Sequence, residues 1–143
     1  MHVDLVITEQ HLVIHHPEEF SIELQQKKTP YPISDKFLNL KLVCHSSTPF
    51  SSGESVAIHL PTVSNNEEVM GVVEWCNSAQ RGFELGIKFS DPNELMRLRM
   101  LEQICFIKRY RNHVLHIEGR DLSDQDAALE WIAKYARLFP NVG

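Results

Sequence analysis

The chain has 143 residues, of which 43% are hydrophobic and 23% charged, with a formal net charge of −5. That is one domain's worth of chain, enough to bury a core without disulfides or metal to hold it and too little for a second full domain. It has no run of about 18 apolar residues and no basic-then-apolar leader at Met1, so neither a membrane span nor a cleaved signal is predicted and the cytoplasm is the expected location.

Asp4 to Thr8 and His11 to His15 are short apolar pieces suited to a first strand or an ordered arm. Phe20 to Leu24 alternates as a strand does, and Pro17, Pro30 and Pro32 interrupt these pieces. Leu38 to His45 reads as a further strand, ended by the Ser-rich stretch Ser46 to Gly53 with Pro49 inside it. Three clearer strands follow, Glu54 to Pro61, Val69 to Cys76 and Phe83 to Phe89, separated by the polar loop Thr62 to Glu68 and the turn-like stretch Asn77 to Gly82. In the last strand Phe83, Leu85, Ile87 and Phe89 alternate with Glu84, Gly86 and Lys88. Val56, Ile58 and Leu60 keep the same period of two, as do Val69, Gly71, Val73 and Trp75. Each strand therefore has one face to be covered and one that can meet water, which predicts an antiparallel barrel or sandwich.

At Ser90 the period changes. Ser90-Asp91-Pro92 supplies a cap residue and a proline for the first helical position, and Glu94 suits the positive end of the helix dipole. Leu95, Leu98, Leu101, Ile104, Cys105, Ile107, Val114 and Leu115 then recur at spacings of three and four up to Gly119. A helix of up to about 27 residues, about 40 Å long, is expected. Ser123 with Asp126 forms a capping box that opens a second helix, whose apolar stripe is Ala128, Trp131, Ile132, Tyr135 and Phe139 before Pro140 closes it. The stripe reads as packing against the sheet or the first helix.

Charge is unevenly spread. Residues 1–90 hold 6 Lys plus Arg against 11 Asp plus Glu, whereas residues 91–143 hold 8 of each, and all seven arginines occur at Arg81 or later. Cys44, Cys76 and Cys105 are an odd number at wide spacing without a Cys-x-x-Cys pair, and read as reduced structural thiols. Cys105, followed by Lys108 and Arg109, is the candidate for a reactive thiol. Among eight histidines, the neighbours His15 and His16 point to opposite faces of a strand, which suits chelation poorly. His113 and His116 share a helix face near Glu118 but lack a third ligand, so no metal site is assigned. Arg97, Arg99, Lys108, Arg109 and Arg111 make the long helix locally basic; the reading preferred is a face that is solvated or paired with acids, and no DNA or RNA binding is expected at a pI near 5.9. No nucleophile with a neighbouring base, phosphate-cradling glycine loop or paired acids marks a catalytic residue, so no enzyme is expected.

Gly53-x-x-Val56-x-Ile58-x-Leu60-Pro61, Gly71-Val72-Val73-x-Trp75 and Gly82-Phe83-Glu84-Leu85-Gly86-Ile87-x-Phe89 resemble the late strands of the bacterial PilZ domain, a small split β-barrel that serves as receptor or adaptor in cyclic di-GMP signalling. The resemblance covers about residues 15–90. The tail, through Met100 to Ile104, Gly119-Arg120-x-Leu122-Ser123, Glu130 to Ile132 and Phe139-Pro140, is similar to a helical extension of some members. Members that bind the dinucleotide carry Arg-x-x-x-Arg ahead of the first barrel strand and Asp/Asn-x-Ser-x-x-Gly in an early strand. The arginine fork grips phosphate oxygens or guanine O6 and N7, and the small residues let backbone and base approach.

Neither motif is present. His11-Leu12-Val13-Ile14-His15-His16-Pro17 stands where the arginines belong, and Lys36-Phe37-Leu38-Asn39-Leu40-Lys41 puts leucine for serine and lysine for glycine. A register shift of one or two would bring Asp35 or Asn39 to the acidic position, but would supply no arginine. The resemblance thus implies a six-stranded antiparallel split β-barrel at residues 1–90, with an N-terminal arm, and a two-helix extension at 91–143. The function expected is a degenerate, non-enzymatic adaptor that binds a partner protein, with a homodimer through the helices as a further possibility. The alternative is a cyclic di-GMP receptor using nonstandard contacts, for which His15, His16, Lys36, Asn39 and Lys41 are the nearest substitutes, and a metal-binding module is the third.

Overall fold

The computed structural model describes residues 12–27 and 36–139. The Asp4 to Thr8 piece, His11, Pro30, Pro32, Asp35 and Pro140 lie outside them. Six strands precede two helices: β1 (Val13–His15), β2 (Glu23–Gln26), β3 (Lys41–Ser46), β4 (Ser55–His59), β5 (Val69–Ala79), β6 (Gly82–Lys88), α1 (Pro92–Glu118) and α2 (Asp124–Tyr135).

All six strands join one sheet in the order β1-β3-β6-β5-β4-β2. Four neighbouring pairs are antiparallel, but β1 runs parallel to β3, with Val13 opposite Lys41 and His15 opposite Val43. The all-antiparallel barrel expected from the pattern is corrected here to a mixed sheet, and among the described residues no ladder joins the end strands β1 and β2. The cause is connectivity. β4, β5 and β6 follow one another through short connections that force reversal, whereas the chain leaves β1, runs along the far edge as β2 and returns as β3, which leaves their relative direction free.

Alternation sets the two faces. Ile14, Leu42, Cys44, Val73, Leu85 and Ile87 point inward and are buried, while Val43, Trp75 and Gly86 lie on the other face. A Cβ at Gly86 would overlap the Trp75 indole, so glycine is what lets that ring lie across β6. A bulge between Val73 and Trp75 resets the side-chain alternation along β5. The β5–β6 turn is tighter than expected: Ala79 already pairs with Gly82, leaving Gln80 and Arg81 between them. Arg81 takes φ 64 and Gly82 φ 138, and a Cβ on Gly82 would come within 2.5 Å of the Ser46 carbonyl oxygen.

The helix signals act as expected. Asp91 caps α1 by accepting from the Asn93 N–H at 2.9 Å, Pro92 opens it, and Gly119 ends it in the left-handed region at φ 71. Ser123 caps α2 by accepting from the Asp126 N–H at 3.0 Å. Both helices fold back on the sheet. Leu98, Leu101, Cys105 and Phe106 of α1, Trp131 of α2 and Phe139 share one buried cluster with Ile14, Leu42, Leu85, Ile87 and Phe89, so a single core crosses the expected boundary at residue 90. Edge-to-face contacts of Phe106 with Trp131 and Phe139, at centroid distances of 6.4 and 5.3 Å, lock the two helices together. Three residues of the predicted stripes face outward instead, namely Ile104, Leu115 and Ile132. Their buried places are taken by Phe106, Ala127 and an acid, Glu102.

Candidate functional site

The strand β1 ends at His15, and alternation then turns His16 inward. Its N–H bonds to the Val43 carbonyl at 3.0 Å, which holds the residue against β3. A turn follows, closed by the Phe20 N–H on the Pro17 carbonyl at 3.1 Å, and it carries the Phe20 carbonyl back to the imidazole. His16 Nε2 donates to that carbonyl at 2.7 Å. On the other side Nδ1 lies 2.6 Å from Glu102 Oε2, with a proton shared between them.

Glu102 reaches this point because it stands four residues after Leu98 and three before Cys105 on the face of α1 turned to the core. It is 0% exposed, and its second oxygen, Oε1, has no hydrogen-bond partner. Cys105 stands one turn on. A ligand atom from each of His16, Glu102 and Cys105 lies within 4.8 Å of the other two, and all three residues are buried. An unpaired acceptor in such a place costs about 1–3 kcal/mol, more if it is charged, so the arrangement is not explained by packing alone.

The electrostatics follow from burial and from Glu102. Burial disfavours the imidazolium of His16, but the hydrogen bond and charge of Glu102, with the Phe20 carbonyl, outweigh it and raise the pKa above 6.5. Burial pushes the Cys105 thiol up to about 12, with the charge of Glu102 adding to it. Cys44 is pushed up to about 12 by the same two causes, helped by Glu84. All three cysteines are free thiols, and a reactive nucleophile at Cys105 is not favoured at such a pKa.

The residues considered for a dinucleotide have separate surroundings. His15 and Lys41 share the outer face of the β1–β3 pair through the register of Val13 with Lys41 and His15 with Val43. Lys41 is held by Glu74 of β5, 2.8 Å away. His16 has turned into the core toward α1. Lys36 and Asn39 are exposed in the segment that leads to β3.

A second feature lies between the helices. A cavity of about 610 Å³ is bounded by Phe106, Tyr110, Trp131 and Tyr135, with Arg109 and His113 at its polar side. His116 borders the same space, so the His113–His116 pair faces it. Two of the basic residues of α1 are paired with acids and a third stacks on a ring. Arg97 pairs with Glu94 at 3.0 Å, Arg111 with Asp124 at 2.8 Å, and Arg109 lies over the Phe106 ring at 5.0 Å.

The buried triad was not visible as a site in the sequence, since His16 and Glu102 are 86 residues apart. One signal existed, an acid four residues after Leu98 and three before Cys105 on the buried stripe. Among the described residues no helix is long and apolar enough to cross a membrane. No protein-family model, curated protein or solved structure matches the chain.

Proposed function

We propose that the chain is a non-enzymatic, PilZ-type adaptor of bacterial cyclic di-GMP signalling, cytoplasmic, that binds a protein partner and lacks the standard grip on the dinucleotide. On this reading the mixed sheet is an open variant of the split barrel. One observation carries the choice of adaptor over receptor: Lys41, at the position of the family's glycine, fills that place with a side chain already held by Glu74 at 2.8 Å. A ligand with two phosphates needs donors in reach that are not committed elsewhere. His16, a further cation-capable candidate, is committed to Glu102 in the core.

The surfaces for a partner are on the helices. Met96, Met100 and Ile104 are exposed at four-residue spacing along α1, at 62%, 60% and 40%, and form one apolar row. Such a row suits another helix, from a partner or from a second copy in a homodimer. Calorimetric titration of the full chain with cyclic di-GMP tests the proposal. No saturable heat is expected at micromolar protein. Saturable submicromolar binding that weakens in Lys41→Ala would overturn the adaptor reading in favour of the receptor.

A further inference from the structure

We propose that His16, Glu102 and Cys105 form a metal site for a zinc-class divalent ion, seated at the seam between β1 and α1. The site goes beyond the adaptor reading and does not depend on it. Its first support is the convergence of three different donors, an imidazole nitrogen, a carboxylate oxygen and a thiol sulfur, within 4.8 Å. Around a tetrahedral ion with bonds of about 2.0–2.3 Å, donor atoms stand roughly 3.3–3.8 Å apart. His16 Nδ1 and Glu102 Oε2, at 2.6 Å, must part by about 1 Å to admit such an ion, and each of the three residues already has a ligand atom within 4.8 Å of the other two.

The second support is the orphaned oxygen. A proton between His16 Nδ1 and Glu102 Oε2 satisfies that pair and leaves Oε1 of a fully buried carboxylate with no partner. A cation accounts for what the proton does not, because it takes charge from both carboxylate oxygens and gives the neighbouring sulfur a role. The third is the hydrogen bond from Nε2 to the Phe20 carbonyl at 2.7 Å. It fixes the tautomer that turns the Nδ1 lone pair to the cluster, the outer support that metal-binding histidines use.

The donor set decides the class of ion. Nitrogen, oxygen and sulfur together suit zinc and its neighbours cobalt and nickel, and do not suit magnesium or calcium, which take oxygen alone. On binding, the proton shared by His16 and Glu102 and the thiol proton of Cys105 leave to solvent, so that three bonds to the ion replace two bonds to hydrogen and no oxidant is needed. A cavity of about 410 Å³ borders His16 on the side of Phe20, Glu18, His45 and Arg81. The ion would tie the long helix to the first strand by bonds.

The test uses the full chain purified without a histidine tag and stripped with chelator, then loaded with cobalt(II) both by titration and by refolding in its presence. One equivalent is expected, with an intense thiolate-to-cobalt absorption in the near ultraviolet and the visible bands of a tetrahedral ion. Cys105→Ala should abolish the ultraviolet band, and Glu102→Gln should weaken binding at least tenfold. His113→Ala with His116→Ala should leave both unchanged, which separates the buried site from surface histidines. Refolded wild-type protein without the thiolate band would overturn the proposal, and so would a band that survives in Cys105→Ala.

Discussion

Glu102 is an acid sealed from water, and His16 is what makes it tolerable. Removing one member of a buried pair leaves the other without compensation, a loss of about 3–5 kcal/mol, whereas replacing both by apolar groups of similar volume is often neutral or better. His16→Ala should therefore lower the unfolding free energy measured in urea by that amount with chelator present, and His16→Leu combined with Glu102→Met should restore most of it. A double variant no better than the single one would show that the pair is not the source. This pairing also marks where sequence reasoning stops. The sequence groups His16 with His15 and Lys41 as a ligand contact, because adjacency in the chain is visible and a partner on a helix 86 residues later is not. What local pattern does show is that position 102 falls on the buried stripe of α1, and a carboxylate there demands a partner from somewhere.

At the level of elements, α1 and α2 form a hairpin tied on one side by rings and on the other by Glu130. Arg120 holds that carboxylate with two parallel bonds of 2.9 and 3.0 Å, and the Tyr110 hydroxyl donates to it at 2.8 Å. The Arg120 guanidinium, then the Tyr110 hydrogen bond, hold its pKa down to about 2. A carboxyl depressed in the folded state stabilises above its ordinary pKa of 4.5 and loses that contribution as pH falls toward about 2. Hydrogen exchange along α2 should accelerate across that window relative to β5 and β6, and Glu130→Gln should flatten the difference. Equal acceleration in the variant would assign the effect to other acids. Both helices were legible in the sequence because their ends are local chemistry: Asp91-Pro92, Gly119 and Ser123 act within four residues of themselves. The strands β4, β5 and β6 were legible for the same reason. The direction of β1 was not, since period two reports which face a residue takes and nothing about the sense of the neighbouring strand.

For the whole molecule, the important fact is that sheet and helices have one core. The inward face of the sheet, from Ile14 through Leu85 to Phe89, is covered by Leu98, Leu101 and Phe106, with Trp131 and Phe139 behind them. Met70 of β5 also donates its N–H to Glu94 at the start of α1, 2.8 Å away. Composition suggests a boundary at residue 90, where the charge balance and the period both change, yet the buried cluster draws residues from both sides of it. Each large apolar side chain left uncovered forfeits about 1.5–3 kcal/mol, and several of them together exceed much of the 5–15 kcal/mol that a domain of this size has. A fragment of residues 1–90 should therefore collapse without fixed packing: it should bind a hydrophobic dye, give poorly dispersed amide resonances and unfold without a cooperative transition. Adding residues 91–143 as a separate chain should restore dispersion, because the covering face is carried by the helices alone. Sharp, dispersed spectra from the short fragment by itself would mean that the sheet closes its own core, as a self-sufficient barrel does, and that the helices are an attachment to it.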